Sequence, residues 1–436
     1  MSSSSTLKSL LASPDFKRFF VIRLLCQSGD GLFQIALATL FFFSAQSQSS
    51  APAIALALFV MLSPYTFVGP FVGVFLDRWQ RRTVIVVADS VRAILTVILV
   101  IVILTMGINL AVYVLALIAL AINRLLLSAL GASLPRVVTE DQLLLANSIL
   151  PTIGAAATGV GALVGLLVGL VAPVGPVRDA STLALAVVIF VASIIVALGF
   201  DRTRLGPEEH ELDGFDKASV RQILHDLGQS IRVVIKLRTP AHALLSMAFM
   251  RLLYGMVFVS CILLSRNFFD TGDGSGLGSF AQIIAFTAVG FGAAIVLAPL
   301  VAKKYGEHAW IVIAMTLCVA GQVLVSVSLT SITILVTSFL LGLGTQGAKI
   351  AFDTIIQQDI PDEFRGRAFT LYDMLFNIAF MSAGGLTALF LDDTGVSIPM
   401  YLALAVGYAL IGASYLRPRR PPVVLKHTPP ALDSDA

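Results

Sequence analysis

Charged residues are scarce in this chain. Asp, Glu, Lys and Arg make up only 13% of its 436 residues, against about a quarter in an ordinary soluble domain. With a hydrophobic fraction of 57% and a mean hydropathy of +0.92, this excludes a soluble globular protein. Cysteine is almost missing. Cys26, Cys261 and Cys318 all lie in apolar stretches, and an odd, buried set excludes a disulfide framework. The five histidines are scattered without metal-ligand spacing. No nucleophile–base pair or phosphate loop is legible. Gly272-x-Gly274-x-Gly276 falls in a loop with no strand before it. An enzyme is therefore not expected, and neither is a cofactor. The net charge of +3 comes from basic residues at the edges of apolar runs, which is no nucleic-acid signal.

What the chain has instead is long apolar runs. Twelve can be read, near residues 19–43, 53–76, 83–106, 110–134, 149–171, 181–200, 243–265, 280–301, 309–329, 332–356, 368–390 and 398–416. A helix of about 20 apolar residues crosses a bilayer core of about 30 Å. Of the 29 Lys and Arg, only Arg178 and Arg266 fall in loops on the even side. Basic loops stay in the cytoplasm, so both termini are expected inside, in a multi-pass protein of the cell (inner) membrane. The first run carries Arg23 and Asp30 and is too long for a signal-peptide core, so it is expected to remain as a helix.

The runs divide six and six. Residues 1–200 form an N-terminal six-helix bundle, 201–240 a cytoplasmic linker, 241–416 a C-terminal six-helix bundle and 417–436 a disordered cytoplasmic tail. The fold class is all-α integral membrane. In the linker, Val220, Ile223, Leu224, Leu227, Ile231, Val234 and Ile235 recur at helical spacing among basic residues, which predicts an amphipathic helix on the inner membrane surface. The halves share a rhythm. Gly69-Pro70 precedes the basic loop 77–82, and Ala298-Pro299 precedes the basic loop 303–308, as a duplicated unit would.

Ionisable residues inside the runs are Arg23, Asp30, Asp89, Arg92, Arg124, Arg251, Lys349, Asp353 and Asp373. Each costs about 2.5–3.5 kcal/mol at the centre of a spanning helix, so function is the default reading. At 1.5 Å per residue, Asp30 and Arg124 each lie roughly 15–16 Å from the inner ends of their helices. They are expected to meet near the midplane as a proton-coupling pair. The other charges lie shallower, and none appears in the outer half, which predicts a cavity polar within and apolar outside. Packing explanations stand beside this. Arg23 and Asp373 sit near helix ends and can snorkel. Lys349 and Asp353, four apart, can neutralise each other. Asp89 has Arg92 or the basic loop for a partner.

Gly154, Gly161, Gly165 and Gly169 line the fifth helix, a spacing that lets two helices approach closely. Phe33, Tyr254 and Phe376 are candidates for contact with an apolar solute, with Phe59, Phe249, Phe258 and Phe380 behind them.

The loop after the second helix resembles the G-x-x-x-D-R-x-G-R-R pattern of the major facilitator superfamily. Gly73, Asp77, Arg78, Arg81 and Arg82 match it, and Gln80 replaces the second glycine. Arg124 with Gly131 and Ala132 is similar to the family's deep arginine followed by small residues. The helix-5 glycines match its exporters' G-x6-G-x3-G-P-x2-G-G pattern, with Leu166 and Leu170 in place of Pro and the last Gly. Gln27-Ser28-Gly29-Asp30 and Arg365-Gly366-Arg367 are similar to the macrolide and siderophore exporter branch. The resemblance implies two six-helix bundles related by an axis along the membrane normal, an arrangement this superfamily itself exemplifies.

It also implies alternating access. A cytoplasmic gate would be drawn from Gly73, Asp77, Arg78, Arg81, Arg82, Asp89, Arg92, Asp362 and Arg365. Cavity charges would be Arg251, Lys349, Asp353 and Asp373. The function expected is a multidrug-type antiporter, a secondary active transporter exporting a hydrophobic or amphiphilic small molecule, driven by the proton gradient without a cofactor. The expected partners are that solute and the lipid bilayer, with a monomeric protein. A lipid flippase, an importer on the same fold, and a non-transporting scaffold or receptor are the alternatives.

Overall fold

The computed structural model describes residues 13–43, 51–67, 79–172, 175–206, 228, 237–268, 275–360, 362–392 and 394–416. Within them the chain is helical, with no strand. Twelve α-helices follow one another: α1 Pro14–Ala38, α2 Ala51–Phe67, α3 Arg81–Met106, α4 Leu110–Ser133, α5 Glu140–Val171, α6 Pro176–Leu198, α7 Arg238–Leu263, α8 Ser275–Tyr305, α9 Glu307–Val327, α10 Ser331–Asp359, α11 Asp362–Phe390 and α12 Ile398–Ser414. A π-helical turn extends α1 over Thr39–Phe43, and another extends α7 over Leu264–Phe268. Among the described residues, nine spans are long and apolar enough to cross a membrane. The amphipathic linker helix expected over 220–235 and the 417–436 tail lie outside the described residues, apart from Gly228.

Local signals set the helix ends. Ser13 accepts from the Phe16 amide at 3.4 Å, with Pro14 in the first turn. Asn109 accepts from Ala111 at 2.9 Å, and Thr139 with Gln142 forms a capping box at the start of α5. Such caps satisfy amides that have no partner within the helix. Gly107 (φ 67°) and Gly306 (φ 85°) close α3 and α8 in the left-handed region, where a side chain would be strained. Several helices run past their apolar stretches. α5 begins at Glu140 and α11 at Asp362, in segments expected as loops. Acidic residues suit the first turn of a helix, where the dipole favours negative charge.

α3 shows which solvent the fold is built for. Its buried face carries Ala88, Asp89, Arg92, Thr96, Leu99 and Ile103, and its exposed face Ile94, Val97, Ile98, Ile101 and Leu104. Polar residues turn inward and large aliphatic ones outward, the reverse of a water-soluble helix. That inversion is stable only against lipid.

Two compact units are distinguished, 1–224 with 254–282 and 377–397, and 225–253 with 283–376 and 398–436. In the first, α1 lies along α5 and α6, α6 along α3, α3 along α4, and α4 against α2. One end of it is an apolar core of Phe16, Phe19, Ile22, Ile85, Leu126 and Leu130 with their neighbours. The second unit centres on α9, packed on α10 and α12. There Trp310 Nε1 donates to the Gly347 carbonyl at 2.9 Å.

Candidate functional site

Two glycines place Asp30. A Cβ on Gly29 would stand 2.4 Å from the Phe190 ring of α6, and one on Gly31 would stand 2.0 Å from the Thr158 carbonyl oxygen of α5. Reciprocally, a Cβ on Gly161 would meet the Ser28 carbonyl at 2.0 Å. α1 is thus pressed onto both neighbours at this level, as small residues permit in a membrane, and Asp30 is enclosed between the glycines.

The guanidinium that meets Asp30 belongs to Arg92 of α3. Arg92 Nη2 donates to Asp30 Oδ1, and Nη1 donates to Asp89 Oδ1 at 3.1 Å. The side chains of Asp30, Asp89 and Arg92 are 3%, 0% and 2% exposed. The Phe190 ring covers the guanidinium face at 4.0 Å. Cys26 Sγ donates to Asp89 Oδ2 at 3.2 Å and lies 3.1 Å from Ser193 Oγ. The result is a closed ionic knot joining α1, α3 and α6, with two carboxylates on one guanidinium.

Depth alone pointed to Arg124 as the partner of Asp30, and Arg92 holds that place. Depth fixes height along a helix but not rotation about it. On α4 the residue turned to Asp30 is Asn123, 1% exposed, while Arg124 next to it is half-buried. Asp89 and Arg92, expected at the cytoplasmic gate, are also corrected. They pair as their spacing allowed, but wholly inside the bundle. Cys26, Ser193, Phe190 and Asn123 were not singled out from sequence. The polar stripe Asp89-Arg92-Thr96 on an otherwise aliphatic helix was the signal for the inward face of α3.

The far ends of α1 and α6 overturn another expectation, that this level holds no charge. α6 starts at Pro176, earlier than the apolar run suggested, so Arg178 and Asp179 belong to the helix. They are 9% and 1% exposed. Thr39 Oγ1 donates to Asp179 Oδ1 at 2.7 Å. A small pocket beside them is bounded by Ile35, Thr39, Gly165, Gly169, Arg178 and Thr182 among others.

Of the expected gate residues, Gly73, Asp77 and Arg78 lie outside the described residues. Arg81 Nη1 donates to the Ala132 carbonyl at 2.9 Å, and Arg82 Nη2 to the Leu198 carbonyl at 3.2 Å. Both therefore cap carboxyl ends of helices, α4 and α6, where cations are favoured. Asp362 and Arg365 fall in the opening turns of α11, and their side chains are outside the described set.

In the second unit Lys349 and Asp353 pair at 2.7 Å along α10, both about 30% exposed (32% and 26%). Arg251 stacks on Phe376 at 4.0 Å, Lys349 lies 5.5 Å from the Tyr372 ring, and Asp373 is exposed. Phe33 is enclosed at 2% exposure, so it packs the first unit here. Tyr254 lies 6.3 Å from Phe380. Phe258 contacts Phe380 and Phe280 at 5.5 and 5.8 Å, and Phe280 contacts Phe43 at 5.1 Å. The α5 glycines serve close packing. Gly154 makes room for Gln27 and Arg23, Gly165 for Ile35 and Thr182, and Gly169 for Arg178. No group of three His, Cys, Asp or Glu able to hold a metal ion occurs among the described residues.

The sequence matches the family model described as Major Facilitator Superfamily over residues 19–327 and 243–432. It is 30% identical over 413 residues to an uncharacterized MFS-type transporter of Mycobacterium bovis, covering 93% of each chain. The fold is similar to that of a nucleoside transporter (TM-score 0.65, 12% identity, 92% of this chain and 97% of that one). It is also similar to a POT family transporter in complex with 5-aminolevulinic acid (TM-score 0.66, 12% identity, 92% and 95%).

Proposed function

The chain belongs to the Major Facilitator Superfamily, and from that premise we propose that this membrane transporter exports a hydrophobic or amphiphilic small molecule in exchange for protons. The observation that carries the reading is the knot of Asp30, Arg92 and Asp89, sealed at 3% exposure or less in a spanning bundle. Buried ions in a membrane helix are costly and mark ion pathways or proton relays. Packing alone would be served better by apolar side chains, since replacing a buried ion pair with well-packed hydrophobes is often neutral or stabilising.

The carboxylate of Asp30 has two usable states. Arg92 holds the carboxylate here, and a shift of the helices that withdraws the guanidinium would free it to exchange a proton. Alternating access exposes that carboxylate first to one side and then to the other. One proton crossing the membrane supplies about 2.3 kcal/mol per 100 mV, equivalent to about a fortyfold gradient of a neutral solute.

The aromatic string from Tyr254 through Phe380, Phe258 and Phe280 to Phe43 supports an apolar or amphiphilic cargo. The basic-loop asymmetry supports a cell-membrane protein with both termini on the cytoplasmic side.

A dye-efflux and drug-susceptibility panel in cells with and without the gene, each with and without a protonophore, tests this. Gene-dependent efflux of apolar cations or amphiphiles that the protonophore abolishes is the expected result. Gene-dependent accumulation, or efflux indifferent to the protonophore, overturns it.

A further inference from the structure

The carboxyl end of α6 is held between two arginines. Arg18 of α1 donates from Nη1 to the Gly199 carbonyl at 3.0 Å, and Arg82 of α3 donates from Nη2 to the Leu198 carbonyl at 3.2 Å. Carbonyls at this end have no partner within the helix, and the dipole favours cations there. Each capping bond takes one N–H, and a guanidinium carries five. Arg18 is exposed and Arg82 half-buried, so the pair sits at the surface of the first unit.

Below the pair the protein is aliphatic and uncovered. Val188, Val191, Ile195 and Leu198 of α6 are 61%, 42%, 66% and 49% exposed. Steps of three and four keep them on one face of the helix, and that face leads to the arginines. The stripe runs about 15 Å, roughly the hydrocarbon depth of one leaflet. Val21, three residues from Arg18 on α1, is exposed too.

Charge complements the shape. Lys17 and Arg202 are exposed at the same end. Among the described residues of α1, α3 and the turn after α6 at that end, the carboxylates are Asp15 and Asp201. Asp15 is bound by Arg204 at 2.6 Å, so the balance is basic.

We infer that this seam binds one anionic phospholipid, with its phosphate between Arg18 and Arg82 and an acyl chain along the α6 stripe. A phosphodiester offers two unbridged oxygens, one to each guanidinium, and such pairing is charge-assisted and directional. A zwitterionic lipid brings an ammonium into the same basic surroundings. A free phosphate has no chain to cover the stripe. The bound lipid ties the ends of α1 and α3 to that of α6. The inference goes beyond the export reading and needs neither its cargo nor its direction.

Basic residues at membrane edges are general, so the test sets this seam against the basic end of α8 in the second unit, where Lys303 and Lys304 are exposed. Delipidated full-length protein in detergent is titrated with phosphatidylglycerol and with phosphatidylcholine of the same chains, and bound lipid is counted by native mass spectrometry. One phosphatidylglycerol should bind about 25-fold tighter than phosphatidylcholine, the increment of two arginines at an anionic headgroup, and Arg18→Gln and Arg82→Gln should each weaken it about fivefold. Lys303→Gln/Lys304→Gln should bind it as the wild type does, and glycerol 1-phosphate at equal concentration should not displace it. Arg18→Gln changes an exposed residue, so it carries the test even where Arg82→Gln fails to fold. Equal affinity for the two lipids, wild-type affinity in Arg18→Gln, an equal loss in Lys303→Gln/Lys304→Gln, or displacement by glycerol 1-phosphate would overturn the site.

Discussion

Gly31 of α1 lies so close to α5 that a Cβ on it would stand 2.0 Å from the carbonyl oxygen of Thr158. That approach closes the floor beneath Asp30, and it makes the first prediction. Gly31→Ala and Gly161→Ala should each destabilise the protein by about 1–3 kcal/mol through overpacking. Gly159→Ala should have no such cost, because a Cβ there meets nothing within 4 Å. Thermal unfolding of the purified protein in detergent checks all three.

Arg92→Gln should be more damaging. It leaves Asp30 and Asp89 buried without a cation, and breaking a buried pair costs about 3–5 kcal/mol. Adding Asp30→Asn and Asp89→Asn to Arg92→Gln should recover much of the loss. The same unfolding assay, read as the difference between the single and triple variants, gives the answer.

Thr39→Val should cost about 1–3 kcal/mol, since it leaves a buried carboxylate oxygen of Asp179 without its donor. Asp179→Asn made on the Thr39→Val background should add less than it does alone, because the two residues share one bond. A double-mutant cycle on unfolding midpoints measures that coupling.

Trp310→Phe should lower stability by about 0.5–1.5 kcal/mol by removing the hydrogen bond to the Gly347 carbonyl. It should leave proton uptake per molecule unchanged, because the residue belongs to the second unit and not to the knot around Arg92. Unfolding and proton-uptake measurements on one preparation check both parts.

The twelve helices were legible because bilayer thickness imposes a length that apolar runs display directly. Asp30 was legible because a carboxylate deep in such a run has few structural excuses. Its partner was not. Lipid tails and a protein core are equally apolar, so the aliphatic pattern of α4 does not say which side faces inward, and Asn123 rather than Arg124 proved to face Asp30. On α3 the information was present in the Asp89-Arg92-Thr96 stripe, but proximity to a basic loop suggested a gate. Asp179 was missed for another reason. A window of apolar residues starts after it, whereas the helix starts before it at Pro176 and carries the charge into a buried setting. Charged helix ends such as Glu140 and Asp362 were read as loops on the same ground.

The central claim is that protons drive transport through Asp30. Purified protein reconstituted in vesicles with an interior pH dye, challenged with an exported substrate identified in the efflux panel, tests it directly. Substrate-dependent proton movement should be clear in the wild type and lost in Asp30→Asn, while substrate still binds. Proton movement of wild-type size in Asp30→Asn would contradict the account.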